Sequence, residues 1–160
     1  MTDGRLVAIY VAATASAPME ACERIDVLAG AGLRGDRYAL GTGTYSDFGH
    51  GPRDVTLIER EAIEAVRAED GAIDVHEAQT RRNLVTEGVA LNHLVGREFR
   101  VGAVRMRGVR LAEPCAYLEQ LTGITGVRAA LVHRGGLRAE IVDDGELRVG
   151  DAIDVTLPSC

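Results

Sequence analysis

The stretch Glu98-Phe-Arg-Val-Gly-Ala-Val-Arg-Met-Arg-Gly-Val-Arg-Leu111 carries the clearest fold signal in this chain of 160 residues. A glycine separates its two β-prone segments, Glu98–Val101 and Val104–Leu111, and the second alternates apolar and polar residues as a half-buried strand does. Similar short segments bounded by turn residues recur at Leu6–Ala12, Ala21–Val27, Arg53–Ile58, Asn83–Thr86, Leu137–Val142, Glu146–Val149 and Ala152–Leu157. The predicted fold is therefore mainly β, a β-barrel with short inserted helices, in a single domain over residues 1–160.

Helical signals fall between these strands. Ile58, Ala62, Ala65 and Val66 have helical spacing, which predicts a helix over Glu59–Glu69. Short helices are predicted at Ala116–Leu121 and Gly126–Val132, and Leu91–Val95 is predicted to be a turn of helix or an irregular link. The turn-forming pair Asp144-Gly145 predicts that the two strands on either side of it form a hairpin.

Composition excludes several classes of function. The chain contains no lysine, so all 18 basic residues are arginines, and this chain alone can form neither a P-loop nor the Schiff base of a pyridoxal phosphate enzyme. A net charge of −6 argues against general nucleic-acid binding. With no long apolar run and no signal-peptide pattern, we expect no membrane segment and a cytoplasmic location. Three scattered cysteines, an odd number, fit a reducing compartment better than a disulfide scaffold.

Cys115 is the leading candidate for a reactive residue. It follows Pro114 and precedes the short helix predicted at Ala116–Leu121, so its thiol is expected near helical N–H groups that favour a thiolate. The alternative is that Cys115 is a small buried hydrophobic residue, since cysteines that form no disulfide are often buried. Position alone leaves both interpretations open.

Arginine clusters provide the candidate binding residues, at Arg34/Arg37, Arg53, Arg81/Arg82 and Arg134/Arg138. They could be no more than a solvated face with weak ion pairs. However, Arg134 precedes Gly135-Gly136, and glycines let backbone amides approach an anion closely. Asp36, beside Arg37, could bind a ligand or instead cap a turn.

Other patterns are weaker. The four histidines show no metal-ligand spacing, so a zinc site is not indicated. A Cys–His hydrolase that uses Cys115 and His133 stays open, because such partners meet in space and not in sequence. The glycine-rich segment Gly41–Pro52 predicts a long loop, and its residues Tyr45, Phe48 and His50 would suit the rim of a ligand site.

Six of these segments, in order, resemble the molybdenum-cofactor sulfurase C-terminal (MOSC) domain family. They are Gly-Leu-Arg-Gly-Asp-Arg-Tyr (32–38), Arg-Arg-Asn-Leu-Val-Thr-Glu-Gly-Val (81–89), Leu-Asn-His-Leu-Val-Gly-Arg-Glu-Phe-Arg-Val-Gly (91–102), Glu-Pro-Cys (113–115), His-Arg-Gly-Gly-Leu-Arg-Ala (133–139) and Val-Gly-Asp (149–151). The resemblance covers nearly the whole chain and implies a MOSC-type β-barrel.

The resemblance also implies the chemistry of the site. The cysteine that matches Cys115 carries sulfur or ligates molybdenum in such domains. Arg82, Asn83 and Arg134, with Gly135, would bind the phosphate and pterin edges of the molybdenum cofactor, molybdopterin. Arg37 and Asp36 would bind the cofactor or order the loop beneath it. Gly88, Gly96, Gly102 and Gly150 match as turn positions.

The resemblance also points to partner proteins. A sulfur carrier would need a sulfur donor such as a cysteine desulfurase, and a molybdenum-dependent reductase of N-hydroxylated compounds would need a reductase that donates electrons. Two other functions stay open, a cofactor-free enzyme that acts on a carbon–sulfur bond through Cys115, and a ligand-binding module in which Cys115 only packs. The sequence leaves the oligomeric state open.

Overall fold

A computed structural model describes residues 4–44, 46 and 52–156. Tyr45, Phe48, His50, Leu157 and Cys160 lie outside these residues, and so does half of the loop predicted at Gly41–Pro52. Among the described residues, no helix is long and apolar enough to cross a membrane.

A seven-strand β-barrel forms the centre of the described structure. Its strands are β1 (Gly4–Val11), β5 (Val55–Glu59), β6 (Leu84–Glu87), β7 (Glu98–Val101), β8 (Val104–Leu111), β9 (Leu137–Ile141) and β11 (Ala152–Asp154). They pair in the order β11-β7-β8-β9-β5-β6-β1, and pairing of β1 with β11 closes the barrel. The predicted mainly β barrel is therefore confirmed.

The parallel pair β5–β6 follows from the odd number of strands, since seven strands cannot alternate in direction all the way round a closed ring. All other barrel pairs are antiparallel. A parallel pair requires a crossover, which here contains α2 (Arg60–Glu69) and a 3₁₀ turn (Glu77–Thr80). The predicted helix Glu59–Glu69 is α2, whereas the sequence analysis did not anticipate the 3₁₀ turn.

A second, three-stranded sheet contains β3 (Arg24–Leu28), β4 (Gly32–Leu33) and β10 (Gly145–Arg148), with β3 in the middle. It corrects two sequence predictions. The strand predicted over Ala21–Val27 is two strands, since β2 (Glu20–Cys22) pairs with β1 and β3 belongs to the second sheet.

The hairpin predicted around Asp144-Gly145 is wrong. β9 pairs with β5 and β8, whereas β10 pairs with β3. The turn carries the chain from the barrel to the second sheet, where an Asp144 carboxylate oxygen accepts a hydrogen bond from the Ala29 amide (2.7 Å).

Two apolar clusters pack on opposite faces of the barrel wall. Leu57 and Leu84 point into the barrel interior with Phe99 and Met106. Ile58 and Val85, the next residues along β5 and β6, pack outside, as the two-residue period of a strand requires.

Four short helices are described, and three of them lie at the outer face of the wall. α3 (Ala116–Thr122) and α4 (Val127–Ala130) cover it together with α2. The predicted segment Leu91–Val95 is a 3₁₀ turn over Leu91–Leu94. The remaining helix, α1 (Arg37–Leu40), was not anticipated by the sequence analysis.

Candidate functional site

A cavity of about 550 Å³ lies on the outer side of the barrel wall, where β5, β8 and β9 run side by side. Thr56 and Arg138 line it, whereas their neighbours Leu57 and Leu137 point into the barrel. α1, the segment before β6 and the beginning of α3 supply the remaining walls. The cavity therefore collects residues that are far apart in sequence.

Cys115 lines this cavity at the beginning of α3. It is the N-cap residue of the helix, with extended backbone (φ −124°, ψ 169°), and its carbonyl oxygen accepts a hydrogen bond from Leu118 N (3.1 Å). Its side chain is half-buried and forms no disulfide. The predicted position directly before a short helix is confirmed.

Arg82 holds the backbone just before Cys115. Its Nη2 donates to the carbonyl oxygen of Ala112 (2.7 Å) and its Nε to that of Gly135 (2.8 Å). Burial lowers the pKa of Arg82 to about 10, and the charge of Cys115 opposes that fall. Arg82 therefore joins the segment that leads to Cys115 to the segment that leads into β9.

Asp36 and Arg37 form a buried pair at the beginning of α1, with Oδ1 and Nη1 3.1 Å apart. Asp36 also accepts hydrogen bonds from the amides of Ala12 (3.2 Å) and Tyr38 (3.3 Å), the second of which caps α1. Nη2 of Arg37 donates to the carbonyl oxygen of Arg81 (3.2 Å). These bonds support the structural role considered for Asp36, while Arg37 also lines the cavity.

Arg81 is held in an unusual conformation at the cavity wall. Its backbone is left-handed (φ 61°), which is uncommon for a residue other than glycine. Nη1 donates to the carbonyl oxygen of Ala17 (2.6 Å), but Nη2 is buried and has no hydrogen-bond partner among the described residues. Burial and, less strongly, the charge of Arg37 lower the pKa of Arg81.

Burial and neighbouring positive charges both act against the charged form of Arg138. Nε and Nη1 are buried and have no hydrogen-bond partner within the described residues. Burial, followed by the charges of Arg53, Arg110 and Arg82, lowers the pKa of Arg138 to about 10. These groups could be satisfied by an anion in the cavity.

The charge of the cavity wall is strongly unbalanced. Among the described residues that line it, six are arginines and Glu113 is the one acid. The arginines are Arg37, Arg53, Arg81, Arg82, Arg110 and Arg138. In a protein with a net charge of −6, such a wall selects an anionic ligand.

A comparison with protein-family models identifies the family of this chain. The family model described as MOSC domain matches residues 44–154. The chain belongs to the MOSC domain family. A comparison with curated proteins finds no significant match.

Solved structures of three bacterial proteins share the fold of this MOSC domain. The YuaD protein of Bacillus subtilis is 14% identical, with a TM-score of 0.76 over 96% of this chain and 97% of that one. YiiM of Escherichia coli is 16% identical (TM-score 0.68, covering 96% and 70%). YiiM of Geobacillus stearothermophilus is 11% identical (TM-score 0.71, covering 96% and 75%).

Four of the residues predicted to contact a ligand do not line the cavity of this MOSC domain, and Asp36, described above, is one of them. The Asn83 side chain is buried in the barrel wall, where Oδ1 accepts from Thr56 N (3.1 Å) and Nδ2 donates to the Tyr10 carbonyl (3.1 Å). Arg134 forms an ion pair with Glu69, and Gly135 contributes the carbonyl that Arg82 binds. Their placement favours structural roles, with Asn83 joining β5 to β1.

His133 does not lie where a base for Cys115 would be needed. It is exposed and does not line the cavity, and its Nδ1 is 2.8 Å from a carboxylate oxygen of Glu113. The arrangement gives no support to a hydrolase that uses Cys115 and His133.

Arg110 and Tyr117 are cavity residues that the sequence analysis missed. A hydrogen bond with Ser16 lowers the pKa of Tyr117 against the opposing effect of burial, and the charges of Arg81 and Arg37 lower it further. Regular alternation along the predicted strand Val104–Leu111 would place Arg110 on the same face as Val104 and Met106, so the local pattern did not indicate that it faces outward. No local pattern identifies Tyr117.

The donor set is compatible with a cofactor that brings its own metal ligands. Among the described residues, no group of three His, Cys, Asp or Glu side chains could hold a metal ion. Cys115 could supply one soft ligand, and the unsatisfied nitrogens of Arg81 and Arg138 could bind anionic groups. These residues therefore fit the molybdenum cofactor that the family resemblance implies.

Proposed function

We propose that this MOSC domain binds the molybdenum cofactor, or a closely related anionic cofactor, in the arginine-lined cavity. Cys115 is the thiolate that either ligates molybdenum or carries a persulfide sulfur. One observation carries the proposal, namely that Cys115 shares its cavity with Arg81 and Arg138, whose buried guanidinium nitrogens lack partners among the described residues.

The cavity residues divide the work of binding. Arg81 and Arg138 would bind the anionic groups of the ligand, because each has a buried guanidinium nitrogen without a hydrogen-bond partner among the described residues. Arg82 would keep Cys115 in position through its bonds to the carbonyls of Ala112 and Gly135. A bound molybdenum cofactor would supply two-electron redox chemistry at the metal.

As a sulfur carrier, Cys115 would accept sulfur from a donor persulfide. The Cys115 thiolate attacks the terminal sulfur, the donor's S–S bond breaks as a new S–S bond forms on Cys115, and the donor leaves as a thiolate. A cysteine desulfurase is the class of partner that supplies such a persulfide. As a reductase, the domain would instead take electrons from a separate reductase.

The first experiment tests the role of Cys115. Full-length protein with Cys160→Ser, which removes a competing thiol, is purified from a host that makes the molybdenum cofactor, and molybdenum and pterin are measured per chain. We expect molybdenum and pterin to be present in this protein. We expect Cys115→Ala to lose molybdenum or persulfide loading, and we expect the matched variant Cys22→Ala to keep the loading that the parent protein shows. Cys22 suits the control because it is half-buried and does not line the cavity. Full loading of Cys115→Ala would contradict the proposal.

A second experiment separates the two roles. Protein incubated with a cysteine desulfurase and cysteine is analysed for the mass gain of one sulfur atom on Cys115, which a carrier must show. Molybdenum-loaded protein is assayed with an amidoxime and a chemical electron source, and turnover would indicate the reductase. If the wild type shows neither the mass gain on Cys115 nor turnover of the amidoxime, both forms of the proposal are refuted.

A further inference from the structure

Strand pairing places Arg138 in the middle of a row of three residues that crosses three strands, and two of the three are positively charged. On β9 it lies opposite Thr56 of β5 and opposite Arg110 of β8. Both partners line the cavity with it. Like charges directly opposite each other on neighbouring strands are destabilising, so this arrangement needs a compensating charge.

A bulge in β8 creates the pair. The register between β8 and β9 shifts between Gly108 and Arg110, so that Gly108 is opposite Ala139 while Arg110 is opposite Arg138. Bulges commonly redirect a side chain beside a functional site. Here the bulge aligns Arg110 with Arg138, whereas a regular ladder would separate their positions.

Among the described residues, no acid pairs with this row, and Glu113 in the cavity wall is bonded instead to His133. Glu140, the next outward position on β9, is opposite Arg107. The Asp54 carboxylate, beside Arg53, accepts a hydrogen bond from Ile141 N (2.9 Å). No described hydrogen bond or ion pair joins either acid to Arg138, so the positive charge of the row remains available to a ligand.

We propose that Arg110 and Arg138, with Arg53, form a subsite for a tetrahedral dianion such as the phosphate of a phosphomonoester. Two guanidinium groups on adjacent strands can each donate two parallel hydrogen bonds to its oxygens. Thr56 is the residue of β5 in this row, but its hydroxyl is already hydrogen-bonded to Asn83. The arginines therefore supply the hydrogen bonds to the anion. The inference rests on the proposed function for the rest of the ligand and identifies the chemical group that enters this part of the cavity.

The test is calorimetric titration of inorganic phosphate into the ligand-free full-length protein. Charge-assisted hydrogen bonds predict that Arg138→Gln weakens binding by about tenfold or more, and that Arg110→Gln weakens it in the same direction. Arg100→Gln is the matched control, because Arg100 is an exposed barrel arginine on β7 that does not line the cavity. Acetate at equal ionic strength should bind much more weakly than phosphate.

Two results would overturn the subsite. One is the absence of phosphate binding to the wild type. The other is an equal affinity for phosphate in Arg138→Gln and Arg100→Gln. If Arg138→Gln does not fold, the decision rests on Arg110→Gln, which removes an exposed side chain. Titrations of Cys115→Ala protein separate this subsite from the proposed role of Cys115, since phosphate binding to that variant does not depend on molybdenum or sulfur loading.

Protein loaded with molybdenum cofactor identifies the source of the dianion. If loading blocks phosphate binding, the cofactor's own phosphate fills the subsite. If loaded and ligand-free proteins bind phosphate equally, the subsite serves a separate phosphorylated molecule. Either result requires the arginine subsite.

Discussion

Replacing Arg138 by methionine should stabilise the ligand-free protein, whereas replacing Arg82 by methionine should destabilise it. Burial lowers the pKa of both arginines to about 10. They differ in their hydrogen bonds, since Arg82 donates to the carbonyls of Ala112 and Gly135, while two buried nitrogens of Arg138 have no partner among the described residues. Methionine keeps an unbranched apolar side chain in each position.

The magnitude follows from the lowered pKa. The fall of the Arg138 pKa from its ordinary value to about 10 disfavours the charged form by roughly 3 kcal/mol, at about 1.4 kcal/mol per pKa unit. Arg138 is partly exposed, so solvent screening reduces its contribution, and we expect Arg138→Met to raise the free energy of unfolding by about 1–2 kcal/mol. Arg82→Met removes a similar penalty for burying a positive charge, but it also removes two charged hydrogen bonds of about 1.5–3 kcal/mol each. Its expected net effect is a loss of about 1–3 kcal/mol.

The assay is urea unfolding at pH 7.5 in a buffer without phosphate or sulfate. Far-ultraviolet circular dichroism is the suitable probe because the chain has no tryptophan. Arg100→Met, at an exposed strand position outside the cavity, controls for the loss of one positive charge. If both cavity variants shift in the same direction, the distinction between bonded and unsatisfied arginines is wrong.

Three further predictions concern titration and burial. The folded pKa of Arg138, about 10, is lower than its unfolded value, so the native state binds fewer protons than the unfolded state in the pH range that begins near pH 10. The wild type should therefore gain stability through that range relative to Arg138→Met, and the difference in free energy of unfolding seen at pH 7.5 should narrow. Asp36→Asn leaves Arg37 buried without its counter-charge and should lower the free energy of unfolding by about 2–4 kcal/mol, measured by the same urea assay; unchanged stability would contradict the structural role of the pair. Burial raises the pKa of Cys22 above its usual 9.0, so alkylation of Cys22, followed by peptide mass spectrometry, should accelerate only in alkaline solution and lag behind that of Cys115 at neutral pH.

Local sequence signals predicted the barrel and the position of Cys115 well. Strand alternation and glycine punctuation act over a few residues, so β7 and β8 have the predicted bounds Glu98–Val101 and Val104–Leu111. The Asp144-Gly145 hairpin failed because a turn-forming pair determines local backbone and not the choice of partner strand. That choice depends on the distant strand β3, whose pairing with β10 no short pattern reveals.

The binding residues were harder to predict because their roles depend on register. Arg134 and Arg138 belong to one arginine cluster in the sequence, yet Arg134 pairs with Glu69 and Arg138 enters the cavity. Arg110 joins Arg138 only through the β8 bulge. The sequence shows that arginine-rich segments accompany Cys115. It does not show which arginines face a ligand and which bind backbone carbonyls, because that assignment depends on how the strands pair.

The arginines of the cavity therefore form two groups with different consequences for binding. Arg37 and Arg82 are bonded to a buried aspartate or to backbone carbonyls, so they hold the walls around Cys115 before any ligand arrives. Arg81 and Arg138 keep buried nitrogens unsatisfied among the described residues, and this lowers the stability of the ligand-free protein. An anion that binds these nitrogens removes that penalty and needs little rearrangement of the first group. Affinity for the ligand and low stability without it then have the same physical origin, the burial of positive charge that only an anion can balance.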